Sequence, residues 1–176
     1  MKITTKTGDK GETGLFRSGR VSKSAAVIEV LGEIDELQSF LGWCKAGVVG
    51  EGLEEISEAI LHVQDDLYRM MSIFGGATGE ILEGDVEFLE GEMERWKEAV
   101  EGIKAFVKPG ADEASSRFHI ARSVCRRVER KVVRYFEGEE AMEGGGGGLA
   151  GVASRDGILK YLNRLSDLLF VWAVKF

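Results

Sequence analysis

The sequence predicts an all-α fold: an antiparallel five-helix bundle preceded by an irregular N-terminal segment. Apolar residues recur at spacings of three and four over five long stretches, as they do on the buried face of a helix. The chain has a single proline, at position 109, and few stretches show the period-2 alternation of a strand. Because most links between the stretches are short, we expect the helices to pack antiparallel in one domain over residues 1–176.

The N-terminal segment, residues 1–23, is too rich in glycine and threonine for a helix and is predicted to be irregular or to form short extended structure. It carries six lysines and arginines but only two acids. Glycines let backbone N–H groups approach an anion, threonines add hydroxyl donors and lysines add charge, so the segment suits phosphate. It is not a Walker A loop, because the sequence has no GxxxxGK[ST]. A flexible basic terminus is the alternative interpretation.

Three helices are predicted before residue 101. The first covers residues 24–45 with Ser24 as its N-cap, the second covers 53–74 and the third 85–100. In the second, spacings of four and three alternate, which is typical of a bundle seam. The residues expected to face the core are Val27, Leu31, Ile34, Leu37 and Leu41; Ile56, Ile60, Val63, Leu67, Met70 and Phe74; and Val86, Leu89, Met93, Trp96 and Val100.

The fourth predicted helix, residues 113–136, carries the most distinctive pattern in the chain. An apolar stripe repeats at i, i+4, i+7 and i+11, formed by Ala121, Cys125, Val128 and Val132. Arg122, Arg126 and Glu129 repeat at the same spacing, about 100° further around the axis. Charges beside an apolar seam, rather than opposite it, indicate a polyanion or a partner helix. A structural network between helices explains them about as well.

A fifth helix is predicted over residues 157–174, with Leu162, Leu165, Leu169 and Trp172 facing inward. The loop before it, residues 138–157, contains five consecutive glycines at 144–148 and is expected to be mobile. It is interpreted as a plain linker or as a functional lid.

Two polar side chains border the predicted seams. Asp35 follows Ile34 on the first helix, where a carboxylate requires a cation such as Arg122 or Arg126, unless it is simply solvated. Asn163 stands one turn before Asp167 on the last helix. Its amide suits recognition of a ribose or a base edge, or a contact that ties helices together.

Composition excludes several functional classes. The net charge of −7 argues against broad nucleic-acid binding, although basic residues concentrate in 1–23 and 117–135 and indicate one focused anion site. The N-terminus lacks the apolar core of a signal peptide, and no run approaches a membrane span. Two cysteines, both expected to be buried, favour a reducing cytoplasm. Two isolated histidines predict no protein-ligated transition metal.

Taken in order, several segments resemble the PduO-type ATP:corrinoid (cob(I)alamin) adenosyltransferases. These segments are TGDKGETGL (7–15), GRVSK (19–23), GEIDELQS (32–39), FVKPG (106–110), ARSVCRRVER (121–130) and YLNRLSD (161–167). They cover nearly the whole chain in the family's order, which makes the resemblance specific. It implies a five-helix bundle that forms a homotrimer, with each active site between neighbouring subunits.

The resemblance also implies roles for individual residues. The triphosphate of ATP would be wrapped by Thr5, Lys6, Thr7, Gly8, Lys10, Thr13, Gly14 and Lys23. The nucleotide site would be completed by Arg126, Arg127, Val128, Glu129 and Arg130 of the fourth helix and by Asn163 of the last. Asp35 and Arg122 would form a salt bridge across the subunit boundary on the corrinoid side. Phe106 would press against the lower face of the corrin ring and keep the axial base or water off cobalt.

Three positions depart from residues that are common in that family. Gln38 replaces a common Asn, Lys108 a common Leu and Ala111 a common Gly. We therefore expect the loop around Phe106 to sit differently in this chain.

The reaction implied is attack of Co(I) on the 5′-carbon of ATP, which forms adenosylcobalamin and releases triphosphate. Since cobalt is the nucleophile, the lack of a plausible Ser, Cys or His triad is consistent with it. Mg²⁺, held mainly by the ATP phosphates, would stabilise the leaving group together with lysines and arginines. A cobalamin reductase and a B12-dependent enzyme are the implied partners. An ATP-dependent kinase, a nucleotide or corrinoid carrier without turnover, and a purely structural bundle are the alternatives.

Overall fold

The structure, a computed structural model, describes Thr4 and residues 6–15, 19–48, 53–142 and 152–176. Within these ranges the chain is mostly helical, and the predicted five-helix fold is confirmed. The elements, in chain order, are strands β1 (Glu12–Leu15) and β2 (Gly19–Ser22), helices α1 (Ala26–Val48), α2 (Glu54–Phe74) and α3 (Glu83–Arg95), a 3₁₀ turn (Lys97–Val100), and helices α4 (Glu113–Met142) and α5 (Val152–Lys175). None of the helices in the described ranges has the length and apolar character needed to cross a membrane.

The N-terminal segment contains a small hairpin. β1 and β2 pair antiparallel, with Glu12 opposite Ser22 and Leu15 opposite Gly19. The guanidinium of Arg20 lies 3.1 Å from the Glu12 carboxylate across the hairpin. Among the described residues, the two strands pair with each other and pack extensively against no helix. The predicted short extended structure is therefore confirmed in the form of a hairpin on the outside of the bundle.

The core lies where α4 packs against α1 and α5, with α2 closing against α1 and α3 against α5. Its largest fully buried side chains are Trp172, Tyr161 and Phe118. The apolar stripe of α4 is wholly buried, as the period of the sequence predicts. The Ser115 hydroxyl donates to the carbonyl of Ala173 at 2.6 Å, which fixes the start of α4 against the end of α5.

Several element boundaries differ from the sequence prediction. α1 begins at Ala26 rather than Ser24, so Ser24 is not its N-cap; the Ser24 hydroxyl instead lies 2.8 Å from that of Ser22. The third helix ends at Arg95 and continues as the 3₁₀ turn, because Trp96 leaves the helical region with φ −106° and ψ 14°. α4 and α5 both extend further into the glycine-rich region than predicted. The glycine run itself, within 143–151, lies outside the described residues.

A polar network, with Asp66 and Tyr161 buried, joins α2, α3 and α5. The Tyr161 hydroxyl donates to Asp66 at 2.8 Å, and Arg69 pairs with both Asp66 and Asp85. Burial, reinforced by the Asp66 carboxylate, raises the pKa of Tyr161 well above its usual value, so the hydroxyl stays protonated. His62 lies 3.7 Å from Asp66 at the edge of this network.

Candidate active site

The charged side chains of α4 fall into two groups that differ in their partners. On the face toward α1, Arg127 lies 2.5 Å from Glu33 and also pairs with Glu36, and Lys131 lies 2.6 Å from Glu29. We call Arg127 and Lys131 the paired face. The two carboxylates raise the pKa of Arg127. These ion pairs hold α4 against α1, the contact that the sequence left open as a helix partner.

The second group is the open edge, formed by Arg122, Arg126 and Arg130. These arginines lie at successive spacings of four, and no carboxylate among the described residues pairs with any of them. Arg126 and Arg130 are exposed, whereas Arg122 is half-buried and lies 5.5 Å from the centre of the Phe170 ring. Three guanidiniums in a row on one helix, none of them paired with a described carboxylate, have the charge and spacing suited to an anion.

The predicted nucleotide residues of α4 differ in burial and in their ion-pair partners. Arg127 would have to leave two carboxylates to contact a ligand, whereas Arg126 and Arg130 pair with none, and the predicted nucleotide role of all three stays a prediction. Val128 is fully buried, and its side chain packs in the core. Glu129 is half-buried beside the open edge. The helical period had set Arg126 apart from Arg127 by placing it in one row with Arg122, but the carboxylate partners of Arg127 become visible only with the position of α1.

A cavity of about 850 Å³ opens beside the open edge, between α4, α5 and the loop that precedes α4. It brings together Phe106 and Arg122, two residues that the resemblance placed on the corrinoid side. The Phe106 ring is fully exposed at this cavity. Other residues lining it include Ile103, Lys104, Pro109, His119, Asp167 and Phe170. The cavity therefore combines an aromatic wall with one acid and two cations.

His119 and Phe170 belong to this cavity and were missed by sequence reasoning. His119 is buried one turn before Arg122, its ring lies 6.3 Å from that of Phe170, and its Nε2 atom has no hydrogen-bond partner. Burial, with a further effect from the Arg122 guanidinium, lowers the pKa of His119, so the ring is neutral near pH 7. The spacing of three residues from Arg122 was the available signal, since it places both side chains on one side of the helix.

The predicted phosphate loop is folded back on the hairpin. The backbone N–H of Lys23 donates to the Gly11 carbonyl at 2.9 Å, and the Lys23 ammonium lies beside the backbone of Gly8. A Cβ at Gly8 would lie only 3.2 Å from that ammonium nitrogen, so glycine permits the close approach. Arg20 donates to the Thr7 carbonyl. Lys6 adopts a left-handed conformation with φ 59°, which is uncommon for a residue with a side chain.

Other predicted residues of this loop are placed as follows. Lys6, Thr7 and Lys10 are exposed, and Thr13 and Gly14 lie on β1. Thr5 lies outside the described residues. The loop therefore presents lysines, a hydroxyl and backbone amides on a surface that no helix of the same chain covers extensively.

The remaining predicted residues lie on α1 and α5. Asp35 is exposed on α1 and pairs with neither Arg122 nor any other described cation. Asn163 is exposed on α5, one turn before Asp167 of the cavity wall. Within one chain, the structure does not bring Asp35 and Arg122 together.

The described residues include one group with the spacing of a metal site, outside the cavity. Oxygen and nitrogen atoms of His62, Asp66 and Asp85 lie within 4.8 Å of one another. Arg69 already binds both carboxylates. We therefore interpret the group as an ion-pair network that joins helices.

Comparison with known proteins gives a consistent result. A model of the family described as "Cobalamin adenosyltransferase" matches residues 3–176. A corrinoid adenosyltransferase of Bacillus subtilis is 36% identical over 178 residues, which cover 98% of this chain and 85% of that protein. A cobalamin adenosyltransferase of Cupriavidus metallidurans is 35% identical, covering 98% of this chain and 86% of that protein. A solved structure of a variant PduO-type ATP:corrinoid adenosyltransferase from Lactobacillus reuteri, complexed with cobalamin and ATP, has a TM-score of 0.80 at 25% identity and covers 99% of this chain and 92% of that chain.

Proposed function

This chain belongs to the cobalamin adenosyltransferase family, and from that membership we propose that it transfers the 5′-deoxyadenosyl group of ATP to the cobalt of a reduced corrinoid. The electron pair of Co(I) forms the bond to the 5′-carbon, the bond from that carbon to the triphosphate oxygen breaks, and triphosphate leaves with its electrons. The observation that carries the proposal is the position of the open edge. One of its ends enters the cavity with Phe106, and the rest runs out along α4 as unpaired positive charge.

The phosphate end of the site combines the open edge with the N-terminal loop. Lys6, Lys10 and Lys23 supply ammonium groups, and Arg126 and Arg130 supply guanidiniums, for a leaving group that gains negative charge as the bond breaks. Thr7, Gly8, Thr13 and Gly14 would supply a hydroxyl or backbone donors, and the exposed Asn163 of α5 would contact the nucleoside. Glu12 is already paired with Arg20, so we expect Mg²⁺ to be held mainly by the phosphates, where it supplies further positive charge.

The active site is proposed to lie between subunits of a homotrimer. Two observations support this arrangement. The hairpin exposes its basic loop without extensive contact to the described helices, and Asp35 is left unpaired although it borders the buried face of α1. A neighbouring copy would bring one chain's loop to another chain's open edge, and Asp35 to Arg122.

The corrinoid end is assigned to the cavity. Phe106 would cover the lower face of the ring and exclude the axial base or water. Loss of that ligand favours four-coordinate cobalt, which is more readily reduced to the nucleophilic state. Asp35 and Arg122 would shape the same side.

The chain's own thiols are unsuited to act as nucleophiles. Cys44 and Cys125 are both free and buried. Burial raises the pKa of Cys44 to about 12 and raises that of Cys125 further, so both remain protonated near pH 7. This supports cobalt as the attacking atom. We also propose a reducing cytoplasm, a reductase that supplies Co(I) and a B12-dependent enzyme that receives the product.

The test is incubation of the protein with ATP, Mg²⁺ and chemically reduced cobalamin. The visible spectrum should change to that of adenosylcobalamin, and inorganic triphosphate should appear in equal amount. Release of ADP would indicate a kinase instead, and tight binding of ATP or corrinoid without turnover would indicate a carrier.

A further inference from the structure

The loop that carries Phe106 has a charge pattern that adenosyl transfer does not require. Lys104 and Lys108 flank Phe106 at two residues on either side, and both are exposed. Lys104 lines the cavity together with Phe106. The Cα atoms of the two lysines lie within about 7 Å of that of Phe106, the reach of two residues of chain.

Lys104 and Lys108 have no acidic partner among the described residues, a property that they share with Lys45 and Lys175. What sets Lys104 and Lys108 apart is their place on the loop that carries Phe106. Lys97, Lys131 and Lys160 each pair with a glutamate. No carboxylate among the described residues pairs with Lys104 or Lys108, although the chain has a net charge of −7. In an acidic protein, two lysines without carboxylate partners, each two residues from the exposed Phe106 of a ligand cavity, favour an anion that arrives with the ligand.

We propose that Lys104 and Lys108 bind the phosphodiester of the corrinoid's nucleotide tail. This inference rests on the proposed function. A complete cobalamin carries, below its ring, a nucleotide whose base is the lower cobalt ligand and whose phosphodiester joins it to the ring. If Phe106 occupies the place of that base, the tail must pass beside Phe106, on the loop that also carries the two lysines. The lysines then give the enzyme a preference for complete corrinoids over those that end before the phosphate.

Two glycines set the ends of the loop that carries Phe106. It runs without regular secondary structure between the 3₁₀ turn and α4, and Gly102 and Gly110 flank it with φ 82° and 107°. Only glycine adopts such angles without strain, so the chain can turn at both ends of the loop. Lys104, Phe106 and Lys108 are thereby carried on one short segment at the cavity.

The experiment compares cobalamin with cobinamide, which has the same ring but no phosphodiester. Both are reduced chemically to Co(I), so no axial base is bound in either. In the double variant Lys104→Ala/Lys108→Ala, the KM for cobalamin should rise about three- to ten-fold, as expected for two partly exposed charged contacts. The KM for cobinamide and the KM for ATP should stay unchanged. Raising the salt concentration should reduce the wild-type preference for cobalamin, because exposed charge pairs are screened.

Two further variants serve as controls. Lys131→Ala/Lys160→Ala removes the same charge at positions that lie on helices and do not line the cavity, and it should leave both corrinoids unaffected. Lys104→Arg/Lys108→Arg keeps the charge and should retain most of the preference. An equal rise in KM for both corrinoids, or no change for either, would overturn the inference. So would a rise in the KM for ATP, since the anion bound by the lysines would then be the triphosphate. If the wild-type protein converts neither corrinoid, the proposed function fails instead.

Discussion

The paired face and the open edge of α4 are both built from basic residues, but only the paired face has carboxylate partners. Arg126 and Arg127 are neighbours in the chain, yet Arg127 contacts two carboxylates of α1 and Arg126 contacts none among the described residues. The difference arises because successive residues of a helix point about 100° apart, so that only one of the two faces α1. Composition alone therefore does not separate a structural arginine from a functional one.

The two groups also differ in their effect on the stability of the free protein. Ion pairs of the paired face stabilise the α1–α4 contact modestly. Along the open edge, Arg122, Arg126 and Arg130 repel one another at spacings of four, where like charges destabilise a helix by about 0.2–0.5 kcal/mol per pair. A polyanion or an acidic group of a second subunit would remove this repulsion. The open edge thus slightly lowers the stability of the free chain, and the relief of its repulsion by a bound anion adds to the affinity for that anion.

The largest effect is expected from Arg126→Ala. Removing one charged contact to a leaving group typically costs roughly 10²–10³ in rate, and we expect a loss of that size in kcat at saturating ATP. The melting temperature should stay the same or rise slightly, because a like-charge neighbour has been removed. Stopped-flow spectroscopy of adenosylcobalamin formation and circular dichroism measure the two quantities. Near-normal turnover of Arg126→Ala would show that the open edge is not the phosphate site. The kcat of Arg126→Lys, which keeps the charge, should lie between those of the wild type and Arg126→Ala.

Phe106→Ala is expected to have the next largest effect, confined to the cavity end of the open edge. Reductive adenosylation starting from Co(II) should slow by roughly tenfold or more, which corresponds to at least ~1.4 kcal/mol of lost preference for four-coordinate cobalt. ATP binding should be spared, because Phe106 lies in the cavity and not at the phosphate loop.

Electron paramagnetic resonance of bound Co(II) provides the direct measurement. The wild type should show the four-coordinate form in the presence of ATP, and the variant should show the base or water as an axial ligand. An unchanged four-coordinate signal in Phe106→Ala would contradict the role assigned to the ring.

On the paired face, Arg127→Ala should reduce stability more than turnover. Losing contacts to Glu33 and Glu36 should cost about 1 kcal/mol, which lowers the melting temperature by roughly 2–4 °C for a chain of this size. Turnover at a temperature where the variant is folded should fall far less than in Arg126→Ala. A loss of activity equal to that of Arg126→Ala, without a loss of stability, would place Arg127 in the nucleotide site after all. Lys131→Ala, which breaks a single pair with Glu29, is the matched control and should have a smaller effect.

The fold could be predicted from the sequence because helix periodicity is local. The seam from Ile56 to Phe74 is buried as predicted, since spacing alone determines which residues share a face. The break at Trp96 was missed because the 3₁₀ turn follows a similar spacing of apolar residues. The register of the two strands could not be predicted, because each strand has only four residues and its pairing depends on contacts with the other. The start of α1 at Ala26 was missed because Ser24 is a favourable N-cap residue by type, yet its hydroxyl lies against that of Ser22.

The site was predictable only in part, for a related reason. The resemblance supplied Phe106 and Arg122, and the structure brings both to one cavity. The pairing of Arg127 with Glu33 and Glu36 depends on how α1 and α4 are aligned, and the sequence of neither helix determines that alignment by itself. His119 was missed because its one sequence signal, the spacing of three residues from Arg122, shows that the two share a side of α4 but not that this side lines a cavity.

Treatment with a thiol-modifying reagent should leave the turnover of the native protein unchanged. Cys44 is buried with its pKa raised to about 12, and Cys125 is fully buried with its pKa also raised. A raised pKa means that the thiols stay protonated at pH 8, where an ordinary cysteine already forms some reactive thiolate. Iodoacetamide at pH 8 should therefore leave turnover unchanged, and Ellman's reagent should detect both thiols only after unfolding. Rapid inactivation would mean that α4 separates from its neighbours around Cys125 in the native state. In that case the open edge would not be held rigidly beside the buried stripe of α4.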